Sequence, residues 1–180
     1  SLNLRSYQEK AFNEIDATLE EMSDAIGELA WLRPGFQEFN YYCNTNGIRL
    51  YFVTNGLEFY VEALLRKAGL RNIPSYSVAV EGQPRQLRYT YPYATEECWE
   101  WGNCKCKVLN QHRAKNSKIV YIGDGKSDLC ASQKADFVFA RSTLLRHCEQ
   151  LQLPFQEFSN FFDVLATLKL GIPNVWQPSL

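Results

Sequence analysis

The opening of the chain repeats apolar residues at helical spacing. Between Leu4 and Leu32 the apolar positions recur three or four residues apart, which places them along one face of an α-helix. We therefore expect the chain to begin with helices, broken near Ser23-Asp24, with no strand ahead of them. Pro34-Gly35 interrupts this pattern, and the aromatic-rich stretch from Phe36 to Cys43 predicts a further short helix.

A strand, a polar loop and a helix are predicted next. The run from Ile48 to Val53 is β-branched and aromatic, as buried strands are. It leads into Thr54-Asn55-Gly56, and the amphipathic stretch from Leu57 to Ala68 follows, closed by Gly69.

The same succession recurs towards the other end of the chain. The apolar run from Lys118 to Ile122 precedes Gly123-Asp124-Gly125, a helical stretch from Ser127 to Lys134, and a short strand from Phe137 to Phe139. Strands that alternate with helices in this way are typical of βαβ units. The sequence therefore predicts an α/β fold with a Rossmann-like parallel sheet flanked by helices, and both polar loops at the carboxyl-terminal edge of that sheet.

Residues 71–104, between the two units, are irregular and rich in proline and aromatic residues. The alternation from Arg88 to Tyr91 predicts a β-hairpin or flap built onto the sheet. Trp99 and Trp101, with nearby tyrosines, leave three interpretations open: a lid facing a substrate, a face for a protein partner or a homodimer, or a small satellite core.

Composition narrows the class of protein. The chain has 180 residues, 46% hydrophobic and 22% charged, which is enough for one domain or a domain with a small appendage. With 19 Lys+Arg against 20 Asp+Glu, the net charge of −1 gives no basic field for a polyanion. Apolar runs stay shorter than the roughly 18 residues that cross a bilayer, and the opening lacks the layout of a secretory signal. We expect a cytoplasmic protein that binds neither nucleic acid nor a membrane.

The six cysteines are too few and too irregularly spaced for a disulfide scaffold. Three of them, Cys98, Cys104 and Cys106, cluster. With His112 or Cys130 they could form a zinc site, although the paired C-x-x-C spacing of such sites is absent. The other interpretation is a thiol-rich loop, and the sequence leaves the role of the cluster open.

Two carboxylates follow the second buried strand. Asp124 and Asp128 lie four residues apart, and Mg²⁺ typically takes one or two protein carboxylates together with water and phosphate oxygens. Turn and helix-cap roles are the alternative for an isolated Gly-Asp-Gly. The wider context favours the metal.

The first loop and one lysine are suited to an anion. A hydroxyl on Thr54 and the backbone N–H groups of Asn55 and Gly56 can point at an anion from the end of a strand. Lys107 begins a predicted helix, Lys107 to His112, and its ammonium could neutralise a phosphoryl group.

The order of these features resembles three conserved motifs of the haloacid dehalogenase (HAD) superfamily of phosphatases, in its phosphoserine-phosphatase-like branch. The resemblance extends from about Leu32 to Phe162, and four stretches carry it: LRPGFQEF at Leu32 to Phe39, LYFVTNGLEFYVEALL at Leu50 to Leu65, CKCK at Cys104 to Lys107, and IVYIGDGKSDLCASQKADFVFAR at Ile119 to Arg141.

The resemblance implies a HAD fold and a Mg²⁺-dependent phosphomonoester phosphatase acting on a small phosphorylated metabolite. Thr54 would bind the phosphoryl group through its hydroxyl, assisted by the amides of Asn55 and Gly56, and Lys107 would hold the same group. Asp124 would ligate Mg²⁺, and Asp128 would bind the metal or orient Lys107. Residues 1–32 would be the remnant of a helical cap, and residues 33–180 the α/β core with the irregular insertion.

The superfamily's first motif, D-x-D, supplies a nucleophilic aspartate and a general acid/base, and it does not occur in these 180 residues. The nearest imitation, Glu14 to Thr18, lies in a helical-period stretch, and we interpret it as exposed helix. Two explanations follow: the sequence is incomplete at its amino-terminal end, or the protein is a catalytically inactive HAD-like binding or assembly factor. Retention of the other site residues favours the first.

Overall fold

The computed structural model describes residues 3–70 and 73–178. They form two compact units, one from Ser1–Leu32 and Tyr51–Val108 (the first unit) and one from Arg33–Leu50 and Leu109–Leu180 (the second unit). The predicted division into a cap remnant at 1–32 and a core at 33–180 stays a prediction.

Helices and strands alternate along most of the chain. The helices of the described ranges are α1 (Leu4–Asn13), α2 (Leu19–Leu29), α3 (Phe36–Thr45), α4 (Glu58–Lys67), α5 (Lys105–His112), α6 (Leu129–Ser132), α7 (Ser142–Gln150) and α8 (Phe161–Leu170). The strands are β1 (Phe52–Leu57), β2 (Ser75–Gln83), β3 (Gln86–Thr90), β4 (Val120–Gly123), β5 (Phe137–Ala140) and β6 (Phe155–Glu157). The predicted α/β class is confirmed.

The first two helices separate at Thr18. The Thr18 hydroxyl accepts from the N–H of Glu21 at 3.2 Å, and the Glu21 carboxylate accepts from the N–H of Thr18 at 2.8 Å. This capping box begins α2, so the break predicted at Ser23-Asp24 is wrong. Glu14 to Thr18 therefore forms the connection between α1 and α2, and its interpretation as exposed helix is also wrong.

In the first unit, β2 pairs with two neighbours in different directions. Its first half runs parallel to β1, with Phe52 opposite Ser75, and its second half runs antiparallel to β3, with Val80 opposite Tyr89. The sheet order is β1-β2-β3. The predicted hairpin is therefore the continuation of a strand that also belongs to the parallel part of the sheet.

A bulge interrupts the pairing of β1 with β2. Val53 lies opposite Tyr76 and Leu57 opposite Val78, so four steps along β1 match only two along β2. The extra length is taken up between Val53 and Leu57, which is the segment Thr54-Asn55-Gly56. The sequence predicted this segment as a loop after the strand, whereas the strand begins later than predicted and continues through it.

The second unit contains a fully parallel sheet of order β4-β5-β6. Strand β6 pairs with β5 and is followed by the last helix of the described ranges. That helix, α8, begins only at Phe161, where the Asn160 side chain accepts from the N–H of Phe162.

Each unit has its own apolar core. In the first unit one buried cluster comes from α2, β1, α4 and the hairpin: Met22, Leu57, Phe59, Val78, Val80 and Leu87. In the second unit one comes from β5 and α7: Val138, Ala140, Leu144 and Cys148. Within the described ranges, no helix combines the length and apolar character needed to cross a bilayer.

Leu57→Ala is expected to destabilise the protein strongly. Leu57 is 0% exposed and pairs with Val78 directly after the bulge, so truncation leaves a cavity that costs about 2–5 kcal/mol of unfolding free energy. Urea denaturation measures the loss. Leu29→Ala, at a position 75% exposed in the same unit, is the control and should change stability by less than about 0.5 kcal/mol. Similar losses in both variants would contradict the assigned core.

Candidate functional site

The bulge orients the Thr54 hydroxyl. Thr54 Oγ1 accepts from the N–H of Gly56 at 2.9 Å, so the oxygen is held over the turn of the backbone. A hydroxyl that accepts one hydrogen bond keeps its own proton for another acceptor. The Gly56 N–H, predicted to face an anion, instead holds the side chain that would do so.

Lys107 lies in the first turn of α5, and its side chain is half-buried. Its ammonium donates to the carbonyl oxygens of Pro92 and Ala94 at 3.3 and 3.4 Å. Both bonds are long, and an ammonium has three donors. The contacts therefore fix the position of the charge and leave donor capacity for an anion.

Asp128 closes the loop that follows β4. It is 3% exposed, and its Oδ2 accepts from the N–H groups of Asp124 and Gly125 at 3.0 and 2.8 Å. Its Oδ1 accepts from the Tyr121 hydroxyl at 2.7 Å. The buried carboxylate thus holds the backbone of the loop, while Asp124 itself is exposed.

Tyr121, a residue of β4, supports this arrangement through its hydrogen bond to Asp128. Burial, followed by the negative charges of Asp128 and Asp124, raises the pKa of Tyr121 well above its ordinary value. The phenol therefore remains a hydrogen-bond donor across the physiological pH range. Gly123 leaves the space that this contact needs, because a β carbon there would lie 2.8 Å from Asp128 Cγ and 3.0 Å from the Tyr121 ring.

The residues predicted for the site fall into both units. Thr54, Asn55, Gly56 and Lys107 belong to the first, and the Asp124 and Asp128 loop belongs to the second. Sequence reasoning missed Tyr121 and the carbonyl groups that hold Lys107. Tyr121 alternates with Gly123 on the same side of β4, which was the available signal, whereas nothing local indicates the carbonyl contacts.

The donor atoms present suit a hard cation with few protein ligands. Across residues 3–70 and 73–178, no three His, Cys, Asp or Glu side chains are grouped so as to hold a metal. Mg²⁺ does not need such a group, since it keeps waters and phosphate oxygens as ligands. An exposed Asp124 carboxylate on a loop fixed by Asp128 fits that requirement.

Cys98 and Cys104 are free thiols in the first unit. Burial opposes ionisation of Cys104, but surrounding side-chain donors and the N–H groups of Lys107 and Cys106 hold the pKa of its thiol below the ordinary value. The interpretation as a thiol-rich loop stays a prediction.

Residues 2–133 match the model of the haloacid dehalogenase-like hydrolase family, so the chain belongs to that family. The recognition made from its motifs is confirmed.

The chain is also similar to phosphatases that carry a substrate in their names. A 2-hydroxy-3-keto-5-methylthiopentenyl-1-phosphate phosphatase of Brevibacillus brevis is 33% identical over 163 residues, 89% of this chain and 73% of the relative. The protein of the same name from Geobacillus kaustophilus is 35% identical over 166 residues, 89% of this chain and 74% of the relative. The bifunctional enzyme MtnB/MtnX of Bacillus licheniformis is 30% identical over 170 residues, 93% of this chain and 40% of that protein.

Tyr121→Phe is expected to lower the unfolding free energy more than the loss of an ordinary tyrosine hydroxyl does. It leaves a buried carboxylate oxygen of Asp128 without its phenol donor, which costs about 1.5–3 kcal/mol, as for hydrogen bonds to charged groups. Tyr42→Phe is the control in the same unit, since it removes a half-buried bond to the neutral carbonyl of Leu168 and should cost about 0.5–1.5 kcal/mol. Urea denaturation compares them, and equal losses would show that the phenol does not support the loop.

Proposed function

We propose that the protein is a Mg²⁺-dependent phosphomonoester phosphatase of HAD type that acts on a small phosphorylated metabolite. The observation that carries the proposal is the Asp124 loop, in which a buried carboxylate fixes the backbone and leaves a second carboxylate exposed at the end of a parallel strand. Membership of the hydrolase family and the names of the relatives support it.

Thr54 and Lys107 would bind the phosphoryl group. The hydroxyl of Thr54, oriented by Gly56, would donate to one oxygen, and the ammonium of Lys107 would neutralise the charge that the group carries. The backbone N–H of Asn55 would assist in binding the phosphoryl group. Such contacts are effective because they are fixed before the substrate arrives and need no reorganisation during the reaction.

Asp124 would ligate Mg²⁺ directly, with Asp128 as the second acidic residue of the metal site. The contacts of Asp128 support a role in holding the Asp124 loop in position, in addition to any bond to the metal. When bound, Mg²⁺ supplies charge neutralisation to the phosphate oxygens.

The substrate would be a phosphate ester of the kind named for the relatives, a 2-hydroxy-3-keto alkenyl 1-phosphate. The proposal also requires a nucleophilic carboxylate, and no D-x-D segment occurs in the printed sequence. We propose that residues encoded ahead of residue 1 supply it.

A catalytically inactive HAD-like binding or assembly factor is the second candidate, and the same missing D-x-D segment favours it. The aromatic insertion could serve such a factor as a face for a protein partner or a second copy. Trp99 is exposed there, and the Arg5 guanidinium lies between its ring and the ring of Tyr91, at 3.8 and 4.0 Å from the two centroids.

Turnover of p-nitrophenyl phosphate separates the two candidates. The 180-residue chain is expected to show negligible turnover with Mg²⁺, and a form extended by the residues that its gene encodes ahead of residue 1 is expected to be active. An inactive extended form, or one without a D-x-D segment, would overturn the phosphatase proposal. It would favour the binding factor.

Lys107→Ala in the active form is expected to lower kcat by about 10²–10³, the usual effect of losing one fixed group that stabilises transition-state charge. Steady-state kinetics provide the measurement. Lys115→Ala, an exposed lysine after α5, is the control and should keep the wild-type rate. Equal rates in the two variants would refute the role of Lys107.

Asp124→Asn is expected to raise the Mg²⁺ concentration needed for half-maximal activity by about tenfold or more, because an amide oxygen is a weaker ligand than a carboxylate. Mg²⁺ titration of the initial rate measures the change. Asp24→Asn, whose carboxylate is exposed on α2, is the matched control. An unchanged Mg²⁺ requirement in Asp124→Asn would remove Asp124 from the metal site.

A further inference from the structure

Two asparagines of the first unit are buried with hydrogen-bonding capacity unused. Asn55 is 7% exposed and Asn103 is 1% exposed. Over the described part of the chain, neither Asn55 Oδ1 nor Asn55 Nδ2 has a hydrogen-bond partner, and Asn103 Nδ2 has none either. Asn103 Oδ1 is used, since it accepts from the N–H of Tyr93 at 3.2 Å.

A fold does not keep such groups for its stability. A buried amide without partners loses its water and gains nothing in return, so most buried polar atoms in proteins are hydrogen-bonded. An apolar side chain of similar volume would fill the position of Asn55 at lower cost. Three such atoms on two side chains of one unit, next to residues proposed to bind a ligand, point to a ligand that completes the bonds.

The two amides lie beside the residues proposed to bind phosphate. Asn55 directly follows Thr54, and its Oδ1 is 3.7 Å from the position that a β carbon on Gly102, the neighbour of Asn103, would take. Asn103 binds the N–H of Tyr93, and Lys107 binds the carbonyls of Pro92 and Ala94 on either side of it.

Gly102 lets the backbone ahead of Asn103 approach Asn55. Its φ of +102° lies in the region that favours glycine, and a β carbon there would stand 2.8 Å from the Tyr91 ring. The backbone at this point can therefore approach the Tyr91 segment and Asn55 together, which no other residue would permit without displacement.

We propose that Asn55 and Asn103 form a neutral subsite that binds the hydroxyl or keto groups of the substrate's carbon chain. The inference rests on the proposed function and deepens it. An amide donates and accepts without net charge, so it selects uncharged polar groups and leaves the phosphoryl group to Thr54 and Lys107. The compound named for the relatives carries a 2-hydroxy and a 3-keto group beside its 1-phosphate.

Binding to the 180-residue chain tests this without requiring turnover. Isothermal titration with Mg²⁺ present compares ethyl phosphate, which has no hydroxyl or keto group, with glycerol 1-phosphate and dihydroxyacetone phosphate, which have them. The wild-type chain is expected to bind at least one of the latter two about tenfold more tightly than ethyl phosphate, the usual contribution of one or two hydrogen bonds.

Asn103→Leu and Asn55→Leu are each expected to reduce this ratio of dissociation constants to near one. Asn40→Leu is the matched control, because Asn40 is a buried asparagine of α3 in the second unit whose Oδ1 also lacks a partner among the described residues. It should keep the wild-type ratio. If a leucine variant fails to fold, as judged by circular dichroism, the corresponding alanine variant provides the same comparison.

The outcomes separate the inference from the proposed function. Absence of binding to all three esters would overturn both. Binding without preference for the hydroxylated or keto ester, or a preference that survives in both asparagine variants, would overturn the subsite alone. Thermal unfolding of the ligand-free Asn55→Leu chain is a second readout: an unchanged or higher Tm is expected for a ligand-binding amide, and a loss of several degrees would assign Asn55 a structural role instead.

Discussion

The mismatch between β1 and β2 is the constraint on which the proposed phosphate-binding segment depends. Because four steps along one strand face two along the other, Thr54, Asn55 and Gly56 cannot all join the ladder. The Gly56 N–H instead donates to Thr54 Oγ1, and Asn55 is buried. Burial of Leu57 at the end of the bulge holds the mismatch in place.

The second polar loop is held by a side chain. The buried carboxylate of Asp128 accepts hydrogen bonds from two backbone N–H groups and from the phenol of Tyr121. In both segments an internal hydrogen bond fixes the position of a polar group: the Gly56 N–H fixes the Thr54 hydroxyl, and Asp128 fixes the backbone at Asp124. The proposed phosphatase would need groups whose positions are fixed in this way to act on a phosphoryl group.

The sequence was sufficient for the fold class, the order of elements and the family, because alternating strands and helices and the strand-end motifs are local patterns. It was insufficient where residues distant in the chain determine the local structure. The bulge exists only through pairing with β2, and the burial of Asn103 depends on Tyr93 and the segment around it. The capping box at Thr18 is visible in the sequence as T-x-x-E, and this local signal outweighs the apolar spacing that predicts a break at Ser23-Asp24.

The pairing of β2 with both β1 and β3 has a mechanical consequence. The strand passes without interruption from its parallel pairing with β1, which ends at Val78, to its antiparallel pairing with β3, which begins at Ala79. A hairpin continued from a core strand in this way has no hinge at its base. A displacement of the hairpin would therefore also move Val78 and, through its pairing with Leu57, the bulge that contains Thr54.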